Sequence, residues 1–147
     1  MMKEKVKYIP WFPFEETKEK FDIVDYTGTF KSFIINLSKR KSDKKIDLRI
    51  TFYGRSEIAR IMNETYRGKL FGDCEEIFKD IPCEGPLYIV ENSDYMKSLS
   101  DESLTLTDVL GFKHYFITDS EWTFDIASQD KPRAELFIDG NLVKKVE

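Results

Sequence analysis

Alternating apolar and polar residues mark strands in the N-terminal part of the chain. Apolar-rich runs at 21–26 and 30–38 flank the turn signal Thr27-Gly28, which predicts a hairpin. The segment IDLRITFY at 46–53 then alternates with a period of two, as expected for an antiparallel strand with one face towards solvent. A three-strand meander is therefore predicted.

The middle of the chain changes to a helical spacing. One apolar set has the separations i, i+3, i+4 and i+7 that indicate a helix: Ile58, Ile61, Met62 and Thr65. Ser56 is placed to cap this helix. The same spacing recurs over 73–81 and stops at Pro82, which cannot continue a helix. A short helix is also expected over 93–99.

The C-terminal part returns to strand patterns. After a short strand at 86–91, four further runs are predicted as strands: KHYFIT, WTFDIAS, AELFI and LVKKV. The last two are separated by Asp139-Gly140-Asn141, which is typical of a tight hairpin turn. The prediction is one α+β domain over 1–147. Its mainly antiparallel sheet, or pair of sheets, is built from the N-terminal three-strand meander and a C-terminal four-strand meander, with two to three helices in the middle packing on it.

Composition supports a single globular domain. The chain has 147 residues, of which 41% are hydrophobic and 34% charged, so it is long enough to bury a core without disulfides or metal. It has neither a run of about 20 apolar residues nor the pattern of a signal peptide, so we expect a cytoplasmic location and no membrane partner. The two cysteines, Cys74 and Cys83, are too few for a disulfide framework and lack the companions of a zinc site.

The net charge of −4 hides a division along the chain. Residues 1–73 carry 16 basic and 11 acidic side chains, whereas residues 74–147 carry 7 basic and 16 acidic ones. An acidic half can attract a basic partner and speed its association. Several rings in that half have carboxylate neighbours, which suits a surface that docks onto a protein. We expect this surface to comprise Glu75, Glu76, Asp80, Tyr88, Tyr95, Asp119, Glu121, Trp122 and Asp125.

Catalysis is the alternative hypothesis, and it depends on the only histidine. His114 lies in a strand pattern, where a small hydrolase could use it as a general base with Asp119 or Asp125 as the nearby carboxylate. No nucleophile motif, phosphate-binding loop, calcium loop or metal-ligand cluster accompanies it. The sequence therefore predicts no cofactor and no metal, and it favours a protein without catalytic activity.

A second alternative is nucleic-acid binding through the basic loop from Lys39 to Lys45. Such loops bind phosphates when aromatic side chains stand beside them, and Tyr53 shares a strand face with Arg49. The isoelectric point near 5.2 and the acidic half oppose this function, since both repel a phosphate backbone. We therefore expect no nucleic-acid partner.

The chain resembles the small cytosolic immunity proteins of bacterial polymorphic toxin systems. The resemblance rests on His114-Tyr115-Phe116-Ile117, on Trp122-Thr123-Phe124-Asp125-Ile126 and on the closing Leu136-Phe137-Ile138-Asp139-Gly140 hairpin. It implies a cytosolic inhibitor, monomeric or weakly dimeric, that binds a toxin domain, often a nuclease, without a cofactor. An acidic inhibitor would then cover the basic cleft in which a nuclease holds its substrate.

Overall fold

The computed structural model of the chain describes residues 5–41, 43–53, 58–63, 85–102, 111–119 and 121–147. Within these ranges it has ten strands, one α-helix and one 3-10 helix. The strands are β1 (Lys7–Pro10), β2 (Asp22–Gly28), β3 (Ser32–Lys41), β4 (Lys44–Tyr53), β5 (Ile58–Asn63), β6 (Leu87–Glu91), β7 (Lys113–Thr118), β8 (Trp122–Ser128), β9 (Arg133–Ile138) and β10 (Asn141–Val146). The helices are the 3-10 helix Glu15–Lys18 and α1 (Asp94–Glu102).

The strands form two five-stranded antiparallel sheets. Sheet I has the order β1-β6-β7-β8-β5, and sheet II has the order β10-β9-β4-β3-β2. The predicted α+β fold with two to three helices is therefore wrong, because the described residues are mostly strand and contain a single α-helix. Two antiparallel sheets sharing one core form a β-sandwich.

The predicted grouping of the strands into two meanders is also wrong. β2, β3 and β4 pair in sequence, but β4 also pairs with β9 inside the five-stranded sheet II. The C-terminal strands are divided, since β7 and β8 belong to sheet I whereas β9 and β10 belong to sheet II. The chain crosses from sheet I to sheet II after Ser128. The sequence does not indicate this crossing, because alternation within a strand does not show which strand it pairs with.

The first predicted helix is replaced by a strand. β5 pairs with β8 along its whole length, from Ile58 opposite Ala127 to Asn63 opposite Trp122. Among the described strands it lies at the edge of sheet I, where Ala59 and Arg60 are exposed and Ile61 packs against the core. A short edge strand has few buried positions, so its apolar residues can fall at separations that also fit a helix. The second predicted helix, at 73–81, lies outside the described residues.

The main core lies between the sheets. Its largest cluster combines inward side chains of sheet II, such as Ile35, Leu48 and Ile50, with those of sheet I, such as Ile117 and Ile126. These side chains are almost completely buried, and burial of this kind drives the folding of the domain.

The outer face of sheet I is partly covered by α1. Tyr95 and Leu99 of the helix form a separate buried cluster with Ala127 of β8, and Phe112 packs against it. This packing fixes the N-terminal end of the helix beside the strands. No helix in the described part of the chain is long and apolar enough to span a membrane.

Candidate functional site

Neighbouring strands bring four polar residues into one line on the outer face of sheet I. Ser93 follows β6, His114 lies on β7, Asp125 on β8 and Arg60 on β5, which is the order of these strands in the sheet. Arg60 is directly opposite Asp125, and His114 is diagonal to it in the antiparallel register. We call these residues the polar line.

Hydrogen bonds connect the polar line from end to end. Ser93 Oγ lies 2.6 Å from His114 Nδ1, and His114 Nε2 lies 2.8 Å from Asp125 Oδ1. Arg60 Nε and Nη2 both donate to Asp125 Oδ2, at 3.1 and 3.0 Å. A carboxylate oxygen can only accept, so we infer that the Nε2–H of His114 donates to Asp125 Oδ1. Nδ1 is then the acceptor for the Ser93 hydroxyl.

The polar line is deeply buried at its centre. Ser93, His114 and Asp125 are 5%, 3% and 2% exposed, respectively, whereas the Arg60 side chain is 43% exposed. Buried polar groups are tolerated when they are paired. The buried polar groups of the line are therefore hydrogen-bonded to one another. The Asp125–Arg60 ion pair connects them to the surface, because Arg60 is partly exposed.

Tyr95 of α1 covers this network. Its ring centroid lies 5.1 Å from that of His114, and the Arg60 guanidinium lies over the same ring at 4.6 Å. Burial, followed by the negative charge of Asp125, raises the pKa of Tyr95 to about 12. Tyr95 is thus a neutral part of the site at physiological pH.

Ser93 owes its position to the connection between β6 and α1. β6 ends at Glu91, Asn92 has a positive φ of 57°, and α1 begins at Asp94. A residue that tolerates the left-handed region allows this sharp change of direction. Ser93 then caps the helix, because its Oγ accepts the Met96 N–H at 3.1 Å.

A cleft of about 460 Å³ opens beside Ser93 and His114, between α1 and the start of β7. Its apolar lining includes Ile89, Met96 and Phe112, and its charged rim includes Lys97 and Asp101. Asp125 is not part of this lining, so the cleft meets the polar line at its serine end.

Three of the predicted docking residues are buried in the structure. Tyr88, Tyr95 and Asp125 are 2%, 8% and 2% exposed. The Tyr88 hydroxyl donates to the Gly85 carbonyl, while Tyr95 and Asp125 belong to the site just described. Tyr88 is buried in a cluster with Val90 and Phe116 on the outer face of sheet I. Tyr95 packs against the sheet from α1, and Asp125 is buried in the polar line, so a folded partner cannot contact these side chains. Three further predicted residues, Glu75, Glu76 and Asp80, lie outside the described residues.

The other three predicted residues form the turn between β7 and β8. Asp119 Oδ1 accepts the backbone N–H groups of Glu121 and Trp122 at 2.7 and 2.6 Å. Its Oδ2 accepts the N–H of Ile23 at 2.8 Å, which ties the turn to β2 of the other sheet. Asp119 is thus a structural residue, whereas Glu121 and Trp122 are exposed.

This bond places Glu121 and Trp122 next to an exposed edge that sequence reasoning missed. β2 is the last strand of sheet II among the described residues. Its large apolar side chains are unusually exposed: Val24 is 62% and Tyr26 49% exposed, and Phe30 at the hairpin tip is 97% exposed. We define the β2 edge as Asp22, Val24, Asp25, Tyr26, Phe30, Glu121 and Trp122.

The basic segment from Lys39 to Lys45, predicted as a loop, consists mostly of the paired ends of β3 and β4, and its charge is partly neutralised. Lys39 and Lys41 both form ion pairs with Glu19, which precedes β2. Nearby, Lys144 of β10 pairs with Glu16 of the 3-10 helix, and this pairing lowers the pKa of Glu16. A loop whose cations already have carboxylate partners binds a phosphate backbone less well.

Comparisons with known proteins give no relative: no protein-family model, no curated protein and no solved structure matches this chain. Among the described residues there is also no group of three or more His, Cys, Asp or Glu side chains that could hold a metal ion.

Proposed function

We propose that this chain is a cytoplasmic binding protein that holds a basic protein partner against the β2 edge. The observation that carries the proposal is the surface character of that edge. Asp25 and Glu121 directly precede its exposed Tyr26 and Trp122 rings. The segments 21–30 and 119–122 contain four carboxylates and no Lys or Arg, and Lys31 follows Phe30.

The Tyr26 ring of the β2 edge is held in place although it is 49% exposed. Tyr26 stacks on Phe33 at 5.8 Å and meets the edge of Phe124 at 5.4 Å, so its ring is fixed from below. Trp122 is 37% exposed and lies on β8 two residues before Phe124. Aromatic anchors fixed in this way lose little conformational entropy on binding and often dominate interface energies.

The charge of the edge favours a basic partner. Carboxylates around an aromatic anchor speed association with a positive surface and oppose negative ones. A nuclease domain fits this requirement, since its substrate cleft must be basic. The proposed role is therefore that of an inhibitor or immunity protein that covers such a cleft, acting as a monomer or weak dimer.

The test compares a variant beside β2 with a matched variant on β10, the strands at the two edges of sheet II among the described residues. Immobilised parent protein, Trp122→Ala and Val143→Ala are each incubated with cytosolic extract of the source cells at low salt. Val143 is a suitable control because it is 48% exposed on β10, the opposite edge strand. We expect the parent and Val143→Ala to retain the same basic protein, and Trp122→Ala to bind it at least about 10-fold more weakly. Equal retention by all three, or retention by none, contradicts the proposal.

A further inference from the structure

The polar line contains the three groups that nucleophilic acyl transfer requires. These are a hydroxyl, an imidazole that can accept its proton and a carboxylate that orients the imidazole, here Ser93, His114 and Asp125. We propose that Ser93 is a nucleophile and that the adjacent cleft binds a small carboxylic ester, which the chain hydrolyses. This activity is independent of the β2 edge, because the polar line lies on the outer face of sheet I.

The direction of the hydrogen bonds suits this chemistry. Arg60 occupies Asp125 Oδ2, which leaves Oδ1 to accept the Nε2 proton of His114. Nδ1 is thereby left with a lone pair directed at the Ser93 hydroxyl, 2.6 Å away. The imidazole is in the tautomer that removes a proton from serine.

The location of Ser93 at the start of α1 helps to stabilise the negative charge that develops on the substrate. The aligned peptide dipoles of a helix give its N-terminal end a partial positive charge. The nine-residue helix α1 begins at Asp94, immediately after Ser93. A carbonyl attacked by Ser93 would develop its oxyanion beside this helix end.

The reaction balances with water as the only co-reactant. Ser93 Oγ bonds to the acyl carbon while its proton passes to His114 Nδ1, and that proton leaves with the alcohol when the ester C–O bond breaks. Water then attacks the acyl-serine and gives a proton to Nδ1. Cleavage of the C–Oγ bond releases the carboxylic acid, and Nδ1 returns the proton to Ser93.

The cleft limits the substrate to a small molecule. Its volume of about 460 Å³ and its lining by Ile89, Met96 and Phe112 fit a short acyl group. Two lysines, Lys97 and Lys113, and two carboxylates, Glu91 and Asp101, line the same cleft. Their charges balance, so the cleft favours an ester with a polar, uncharged leaving group.

The experiment uses the intact chain, a fluorophosphonate probe and p-nitrophenyl acetate. We expect the probe to label Ser93, as located by peptide mass spectrometry, and the protein to release p-nitrophenol catalytically. Ser93→Asn keeps a residue able to cap α1 but removes the nucleophile. It should lose labelling and lower hydrolysis at least about 100-fold. His114→Gln should slow labelling of Ser93 by a similar factor.

A matched control is Ser128→Ala, since Ser128 is a buried serine on β8 that donates to the Asp130 carbonyl, away from the imidazole. It should label and hydrolyse like the parent. The proposal is overturned if the folded parent is not labelled at Ser93, or if folded Ser93→Asn hydrolyses the ester as fast as the parent. The polar line would then serve only to hold α1 on the sheet.

Discussion

The Asp119 carboxylate accepts the backbone N–H of Ile23, 96 residues earlier in the chain, at 2.8 Å. Its other oxygen accepts the N–H groups of Glu121 and Trp122. One side chain therefore closes the turn between β7 and β8 and fixes it to the edge strand of the other sheet. The β2 edge therefore combines residues of both sheets, and the Asp119 side chain holds them together.

Replacing Asp119 by Ala should destabilise the domain and loosen the β2 edge together. Three backbone N–H groups lose their acceptor, so we expect the free energy of unfolding to fall by about 2 kcal/mol. Urea denaturation measures this loss. Asp130→Ala is the control, because Asp130 is exposed and its backbone carbonyl makes the bond to Ser128; its effect should stay within about 0.5 kcal/mol. Equal effects would show that Asp119 is an ordinary turn residue.

Replacing Asp125 by Ala should be the most destabilising change in the polar line. It removes the acceptor of both Arg60 and the buried His114, and the loss of one partner of a buried pair costs about 3–5 kcal/mol. Lys97→Ala on the exposed side of α1 is the comparison, with an expected change within about 0.5 kcal/mol. Chemical denaturation of both variants tests the difference, and a similar small loss in the two would contradict the described network.

Gly85 and Gly140 provide a test of backbone packing. Both have positive φ, 77° and 84°, but a Cβ on Gly85 would clash with the Thr17 carbonyl oxygen, whereas a Cβ on Gly140 has nothing within 4 Å. Gly140→Ala should therefore cost about 1 kcal/mol, from conformational strain alone. Gly85→Ala must also displace backbone, and we expect a further loss of about 1–3 kcal/mol. Thermal unfolding of the two variants compares these costs, and equal losses would contradict the close contact with Thr17.

Tyr95 should make the domain lose stability at alkaline pH. Its pKa is raised to about 12 from an ordinary value near 10, mainly by burial. Between these values the unfolded chain releases the Tyr95 proton while the folded chain keeps it, so the unfolded state binds fewer protons and stability falls as pH rises. Burial raises the pKa of Tyr115 as well, so Tyr95→Phe should reduce this fall without abolishing it. Urea titrations between pH 9 and pH 12 check this, and an unchanged pH dependence in Tyr95→Phe would contradict the burial of its hydroxyl.

Much of the strand content could be predicted from the sequence, because β3, β4 and β7 to β10 each alternate or fall between clear turn signals. The assembly could not, because alternation fixes which face of a strand is buried but not which strand it pairs with. β9 pairs with β4, more than 80 residues earlier, and nothing local indicates it. The helix predicted from Ile58 is wrong because a strand of six residues is too short for its apolar pattern to distinguish the period of a helix from that of a strand.

Part of the polar line could also have been found. A tight turn between the strands of His114 and Asp125 places both residues on one face, diagonal to each other, so the pair is visible in the sequence. Ser93 is not, since it depends on the pairing of β6 with β7 and on the course of the chain into α1. The predicted docking residues include side chains that the fold buries or uses itself, because a list of charges does not show which carboxylates hydrogen-bond to the backbone, as Asp119 does.

The most direct measurement of the proposed binding role is site-specific photo-crosslinking. The amino acid p-benzoylphenylalanine is placed at position 122 on the β2 edge or at position 143 on β10, and each protein is irradiated in cytosol of the source cells. The account predicts one discrete crosslinked product at position 122, formed with a basic protein and suppressed by high salt, and no such product at position 143. The same products at both positions, or a product at 122 with an acidic protein, would contradict it.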